Sequence, residues 1–262
     1  MHSVAQQNDR ASSTSSDSIS GDAGDAHAHA QAGKILSSSA TLAATLDHTL
    51  LRPDATRAQV LQLCKEAAEH RFACAMVNPT WVSLASEALA GSGVPVGVVI
   101  GFPLGASLPS SKRDETVRVL KHGAHDVDMT INIGLLKSGT REDYDAVRQD
   151  IRGVVELAHA SNAIVKVILE TCLLTFEEKL RASEIALSAG ADFIKTSTGF
   201  STGGATVDDI ALMYAAARGK AGVKASGGIR SLADATAMFY AGATRIGASA
   251  SVRILAEFSG QV

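Results

Sequence analysis

Cysteine is scarce. The 262 residues hold three, Cys64, Cys74 and Cys172, an odd number with no Cys-x-x-Cys spacing. A disulfide framework is therefore not expected. A reduced, cytoplasmic protein is the simpler reading, with each thiol a small buried hydrophobe. Aromatic residues reach only 4%, and the formal net charge is only −3. The chain thus lacks both the stacking platforms and the basic field that nucleic acid would need, and the charge that would hold it to an anionic membrane. No run approaches the ~18 apolar residues of a membrane span. His48, His70, His122, His125 and His159 are scattered without a clustered ligand pattern, so neither a metal nor another cofactor is expected.

What is present is an ordinary globular composition, 46% apolar and 19% charged, enough for one sizeable core. The first 38 residues stand apart. They are rich in Ser, Ala, Gly, Asp and Gln, and Val4 and Ile19 are their only β-branched aliphatics before Ile35. So little apolar surface is expected to leave residues 1–38 as a disordered extension, with one domain over 39–262. The extension has no apolar segment of the secretory kind. His27 and His29 read as solvated side chains rather than as ligands.

From about Thr41 short apolar runs alternate with longer amphipathic stretches. Strands are predicted over 44–50, 72–77, 94–100, 126–131, 164–170, 193–196, 222–225 and 244–247. Helices are predicted over 56–70, 79–90, 112–122, 141–160, 175–189, 206–218, 231–240 and 249–258. The short Val-, Ile-, Leu- and Ala-rich runs suit strands buried on both faces. Pro79 reads as a first-turn proline with Asn78 as its cap. Eight strand–helix units close into an α/β fold of the (β/α)8, or TIM, barrel type. The rival, an open doubly wound sheet, would want a Gly-x-Gly-x-x-Gly after the first strand, and none is there.

Side chains alternate along a strand, so polar residues at every second position share the interior. Asp47 and Thr49 face inward on the first strand, and Asp126, Asp128 and Thr130 on the fourth. Lys166 and Glu170 do so on the fifth, Lys195 on the sixth and Lys224 on the seventh. His48, out of phase with Asp47, reads as a packed, hydrogen-bonded side chain. Buried ion pairs are weak devices for stability, so this many converging charges point to function. A lysine closing an apolar strand tends to lose its proton, and a second cation nearby pushes the same way. Lys195 and Lys224 on neighbouring strands therefore suggest Schiff-base chemistry. Three loops on the same face offer backbone amides to an anion: Thr198-Gly199 with Gly203-Gly204, Ser226-Gly227-Gly228, and Gly247-Ala248-Ser249. Arg230 adds charge beside them. Loops after strands seven and eight of such a barrel are a recurrent phosphate site.

Four segments, in order, carry a family pattern. They are Leu46-Asp47-His48-Thr49-Leu50-Leu51, Val127-Asp128-Met129-Thr130-Ile131-Asn132-Ile133-Gly134, Phe193-Ile194-Lys195-Thr196-Ser197-Thr198-Gly199, and Val223-Lys224-Ala225-Ser226-Gly227-Gly228-Ile229-Arg230. Together they resemble the deoxyribose-phosphate aldolase family, over about residues 42–256. The resemblance implies a class I aldolase without metal or cofactor. It would cleave 2-deoxy-D-ribose 5-phosphate reversibly to D-glyceraldehyde 3-phosphate and acetaldehyde. Lys195 would form the Schiff base, Lys224 would lower its pKa, and Asp128 would move protons through a water. Asp47, Thr49, Lys166 and Thr198 would contact the substrate. Gly199, Gly227, Gly228, Arg230, Gly247 and Ser249 would hold the phosphate. The partners implied are a small phosphosugar and an aldehyde, with a homo-oligomer possible. Two departures touch none of the implied catalytic set: Met76 where some relatives carry cysteine, and Asp126 where Glu is common. Another phosphosugar barrel enzyme, Schiff-base or isomerising, or an inactive phosphate-binding barrel, are the alternatives.

Overall fold

Each predicted apolar run becomes a strand. In the computed structural model, which describes residues 19–261, the strands are β1 (Leu46–Leu50), β2 (Cys74–Val77), β3 (Val96–Ile100), β4 (Ala124–Thr130), β5 (Ile164–Ile168), β6 (Phe193–Lys195), β7 (Gly222–Ser226) and β8 (Arg245–Ala248). All pair parallel in chain order, and β8 returns to β1 to close the barrel. The helices are α1 (Ile19–Ile35), α2 (Ser39–Ala43), α3 (Arg57–His70), α4 (Val82–Ala88), α5 (Pro109–Lys121), α6 (Ile133–Ser138), α7 (Arg141–His159), α8 (Phe176–Ser188), α9 (Val207–Ala217), α10 (Leu232–Tyr240) and α11 (Ser251–Phe258). Eight of these, α3, α4, α5 and α7 through α11, complete the expected units.

Local chemistry starts these helices where the sequence indicates. Thr56, Thr175 and Ser231 each accept the amide of the third helical residue, whose side chain bonds back to close a capping box. Asn78 departs from its expected role. It makes no side-chain cap, and its amide nitrogen instead donates to the Leu51 carbonyl at 3.0 Å, tying the β1 loop to the β2 loop.

The main core lies between strands and helices. Val127, Met129 and Ile131 of β4 and its exit, and Val165, Val167 and Leu169 at β5, belong to it. Their alternate neighbours turn into the barrel, as the period of two requires. His48 points outward, buried, with its Nε2 2.7 Å from Glu66 Oε2 on α3.

The N-terminal extension departs from expectation. Residues 1–18 lie outside the described part of the chain, but residues 19–35 form α1 instead of a disordered segment. Ala28, Ala32 and Ile35, spaced four and three apart on one helix face, are buried. His29 meets the Tyr240 ring of α10 edge-on at 5.3 Å between centroids. Alanine is the best helix former, and its small side chain lets two helix backbones approach closely. A reading by bulk hydrophobicity undervalues such a stripe. Deleting residues 1–37 is therefore expected to lower the melting temperature by about 5 °C. The Michaelis constant should not change, because α1 packs against α10 and lines a space with Gly222 and Thr244 at the strand entrances, away from their exits. A scanning-calorimetry trace beside a kinetic assay would check this, and a shifted Michaelis constant would show that the extension reaches the site.

Candidate active site

Parallel strands set side by side fix which interior side chains meet. Lys195 on β6 and Lys224 on β7 are direct partners in the ladder, as are Asp128 on β4 and Lys166 on β5. Asp128 is the hub. Its Oδ2 lies 2.6 Å from Lys195 Nζ and 2.7 Å from Lys224 Nζ, while its Oδ1 lies 3.2 Å from Lys166 Nζ. Lys224 also reaches Asp47 Oδ2 at 2.5 Å. Lys166 pairs with Asp126 and lies 3.5 Å from Asp47. Arg245 of β8 donates to Asp47 Oδ1 at 3.1 Å, with its guanidinium over the Phe193 ring.

In this cluster three carboxylates face four cations, so neutrality is reached when one lysine is uncharged. Burying a net charge is costly, so the interior favours that state. Burial pushes Lys166 down to about 7, and burial reinforced by the Lys224 charge also pushes Lys195 down, against the pull of Asp128. Lys224 goes the other way. Burial works against its charge, but Asp128 and Asp47 prevail and hold it above the ordinary lysine value. Lys224 is thus the retained cation. Burial would raise Asp47, yet Lys166, Lys224 and Arg245 together hold it well below the usual carboxylate range.

Access separates the two depressed lysines. A cleft of about 350 Å³ opens at the strand exits, lined by Lys195, Thr49, Thr198, Gly199, Gly227, Gly228, Arg230, Gly247 and Ser249 together with Leu51, Phe200 and Ile229. Lys195, 3% exposed, lines that cleft, while Lys166 is fully buried. Every expected phosphate-site residue is at this one place. Asp47 and Lys166 do not line it; like Asp128 and Lys224, they are buried side chains off its wall. The ladder gives the reason: Lys195 pairs with Ile168, and Lys166 pairs with Phe193, so Lys166 sits two residues deeper. A two-residue step on a strand is nearly 7 Å, and the layer above closes it off. Arg245 escaped the sequence reading, although it alternates in phase with Gly247. So did the hold of Glu170 on Thr198.

Side chains knit the cleft loops together. Thr196 Oγ1 donates to the Ser226 carbonyl at 3.1 Å, and Ser226 Oγ donates to the Ser197 carbonyl at 2.7 Å. The β6 and β7 loops then cross so closely that a Cβ on Gly204 would lie 2.2 Å from the Gly227 carbonyl oxygen, so only glycine fits there. Gly228 has φ 84 and lines the cleft; a Cβ there would meet no protein atom within 4 Å. Asp234 accepts the amides of Arg230 and Ser231, both at 3.0 Å, fixing the entry to α10 beside the cleft.

Asp47, Cys74 and Asp126 bring donor atoms within 4.8 Å of one another, as metal ligands can. Here the Lys166 ammonium contacts both carboxylates and already supplies the cation. Burial pushes the Cys74 thiol up to about 12, which leaves it protonated and inert. Met76 is fully buried in a small interior cluster with Leu51, Cys74 and Val99, so a thioether stands where a thiol would be the stronger nucleophile.

A (β/α)8 barrel with a buried amine at the floor of a glycine-lined cleft defines the class of carbonyl-handling barrel enzymes. Residues 41–256 match the model of the DeoC/LacD family aldolases, and the chain belongs to that family. It is 55% identical over 214 residues to a deoxyribose-phosphate aldolase of Geobacillus sp. (strain WCH70), covering 82% of this chain and 94% of that one. It is 57% identical over 215 residues to one of Listeria monocytogenes, covering 82% and 95%. Among solved structures, the deoxyribose phosphate aldolase of Aeropyrum pernix, described as tetrameric, superposes with a TM-score of 0.82 at 37% identity, covering 90% of this chain and 98% of that one.

Proposed function

We propose that this chain is a deoxyribose-phosphate aldolase working through a Schiff base on Lys195. The observation that carries the reading is one shared oxygen. Asp128 Oδ2 holds Lys195, the depressed amine, beside Lys224, the retained cation, at the floor of the glycine-lined cleft. In the cleavage direction the neutral Lys195 amine adds to C1 of the open-chain deoxysugar phosphate, and water leaves as the imine forms. The imine, once protonated, draws electrons. Loss of the C3 hydroxyl proton then breaks the C2–C3 bond, the pair passes into an enamine, and glyceraldehyde 3-phosphate departs. Protonation at C2 and addition of water return acetaldehyde and the free amine. Asp128, acting through a water, is the group placed to carry these protons, and Lys224 keeps Lys195 unprotonated. Gly199, Gly227, Gly228, Arg230, Gly247 and Ser249 take the phosphate, with Thr49 and Thr198 along the sugar.

We infer self-association as well, on the strength of the tetrameric Aeropyrum pernix relative. The free thiols of Cys64, Cys74 and Cys172 support a cytoplasmic setting. Among the described residues no helix is long and apolar enough to cross a membrane. The test is direct. Purified protein given 2-deoxyribose 5-phosphate should release acetaldehyde and glyceraldehyde 3-phosphate in equal amounts. Release of neither would end the reading.

A further inference from the structure

Glu170 is a buried carboxylate that the proposed chemistry does not use. It follows β5 and is 2% exposed. Its backbone is left-handed, with φ 58 and ψ 62. That conformation is unfavourable for a residue with a Cβ, and a buried carboxylate is unfavourable again. No lysine, arginine or histidine among the described residues forms an ion pair with it; the interior cations are taken by Asp47, Asp126 and Asp128. Its bonds go almost entirely to one residue. Both oxygens lie 3.3 Å from the Thr198 amide, and the Thr198 hydroxyl donates to Oε2. The Cys172 thiol, at 3.9 Å from Oε1, is the weak remainder.

Thr198 passes the constraint on. Its hydroxyl oxygen accepts the Phe200 amide at 3.0 Å, closing a turn over Gly199, whose φ is 84. The amides on either side of Gly199 are thus consumed within the protein. The Gly199 amide itself has no acceptor among the described residues. All three residues line the cleft, across from Gly227, Gly228 and Arg230. Strain held at a cleft and offset by bonds to a single turn marks a residue kept for function.

We propose that Glu170 is a positioning residue for the anion end of the cleft: acting through Thr198, it holds the turn over 198–200 in the form that leaves the Gly199 amide for the substrate's phosphate. This deepens the reading above and rests on it. An ordinary turn would let Thr198 and Phe200 rearrange their amides, and the cradle would lose its shape without losing its fold.

Two variants separate positioning from support. Glu170→Gln keeps the shape but turns one acceptor into a donor. Glu170→Gly removes the carboxylate and relieves the left-handed strain, so it should fold even if the glutamine variant does not. In each, the Michaelis constant for 2-deoxyribose 5-phosphate should rise about tenfold, the worth of a charge-assisted hydrogen bond, while that for unphosphorylated deoxyribose moves less than about twofold. The dissociation constant of inorganic phosphate, measured by calorimetry, should rise in parallel. In the Glu170→Gln background, Thr198→Val should add less than it costs alone. An equal shift for both sugars, an unchanged phosphate constant, or wild-type phosphate binding in Glu170→Gly would overturn the proposal. The phosphate arm requires no aldol chemistry. A wild-type protein that binds phosphate more tightly than its Glu170 variants, yet leaves the deoxysugar uncut, would sink the functional reading alone.

Discussion

Lys195→Met is expected to retain less than about one ten-thousandth of wild-type turnover, because no other amine can replace a covalent nucleophile held at one point. Treating the wild-type enzyme with acetaldehyde and borohydride should place a single ethyl group on Lys195, visible in a peptide map. The geometry argues against both rivals. Lys166 has a depressed pKa but is fully buried, two residues deeper than Lys195 by the ladder. Lys224 lies at the right level but keeps its proton, because Asp128 and Asp47 both contact its Nζ. Only Lys195 combines a pKa lowered by burial with a place on the cleft wall. An ethyl group on Lys224, or residual turnover by Lys195→Met near that of the wild type, would reverse the assignment of nucleophile and tuner.

Much of this was legible in the sequence because a barrel repeats one simple rule. Eight buried strands alternate inward and outward, so Asp47, Asp128, Lys166, Lys195 and Lys224 could all be assigned to the interior from parity alone. Parity does not give depth. Lys166 shares the interior with Lys195 but sits two residues deeper, and depth depends on the stagger between strands, which no single strand encodes. Arg245 was missed for a related reason. One arginine near the start of a short strand looks like a surface residue until Asp47 is seen on the adjoining strand β1 at 3.1 Å. Glu170 had the right parity, but its work depends on a left-handed backbone that nothing in the local sequence announces. Helix α1 was missed because its buried stripe is alanine-rich, and alanine contributes little to any hydrophobicity count while packing closely.

Lys224→Leu should act through charge rather than shape. Two ammonium groups that share the Asp128 Oδ2 atom are about 5 Å apart or less, and at an effective dielectric near 20 they repel by roughly 3 kcal/mol or more. Removing one leaves Asp128 and Asp47 with less positive partner, so both the lost repulsion and the stronger pull of Asp128 favour a proton on Lys195. The sign follows. Lys195 attacks only when uncharged, so activity rises with pH through its titration, and that acidic limb should move to higher pH in the variant. At neutral pH the loss in kcat/KM should be about a hundredfold or more. Raising the pH should recover part of it, which a merely misfolded site would not do. Asp47 keeps Lys166 at 3.5 Å and Arg245 at 3.1 Å, so the interior retains enough cation to hold its fold. A borohydride adduct should still form on Lys195, slowly at neutral pH and faster at alkaline pH. Full activity at neutral pH in Lys224→Leu would mean that burial alone sets the Lys195 titration, and that the second lysine serves some other step.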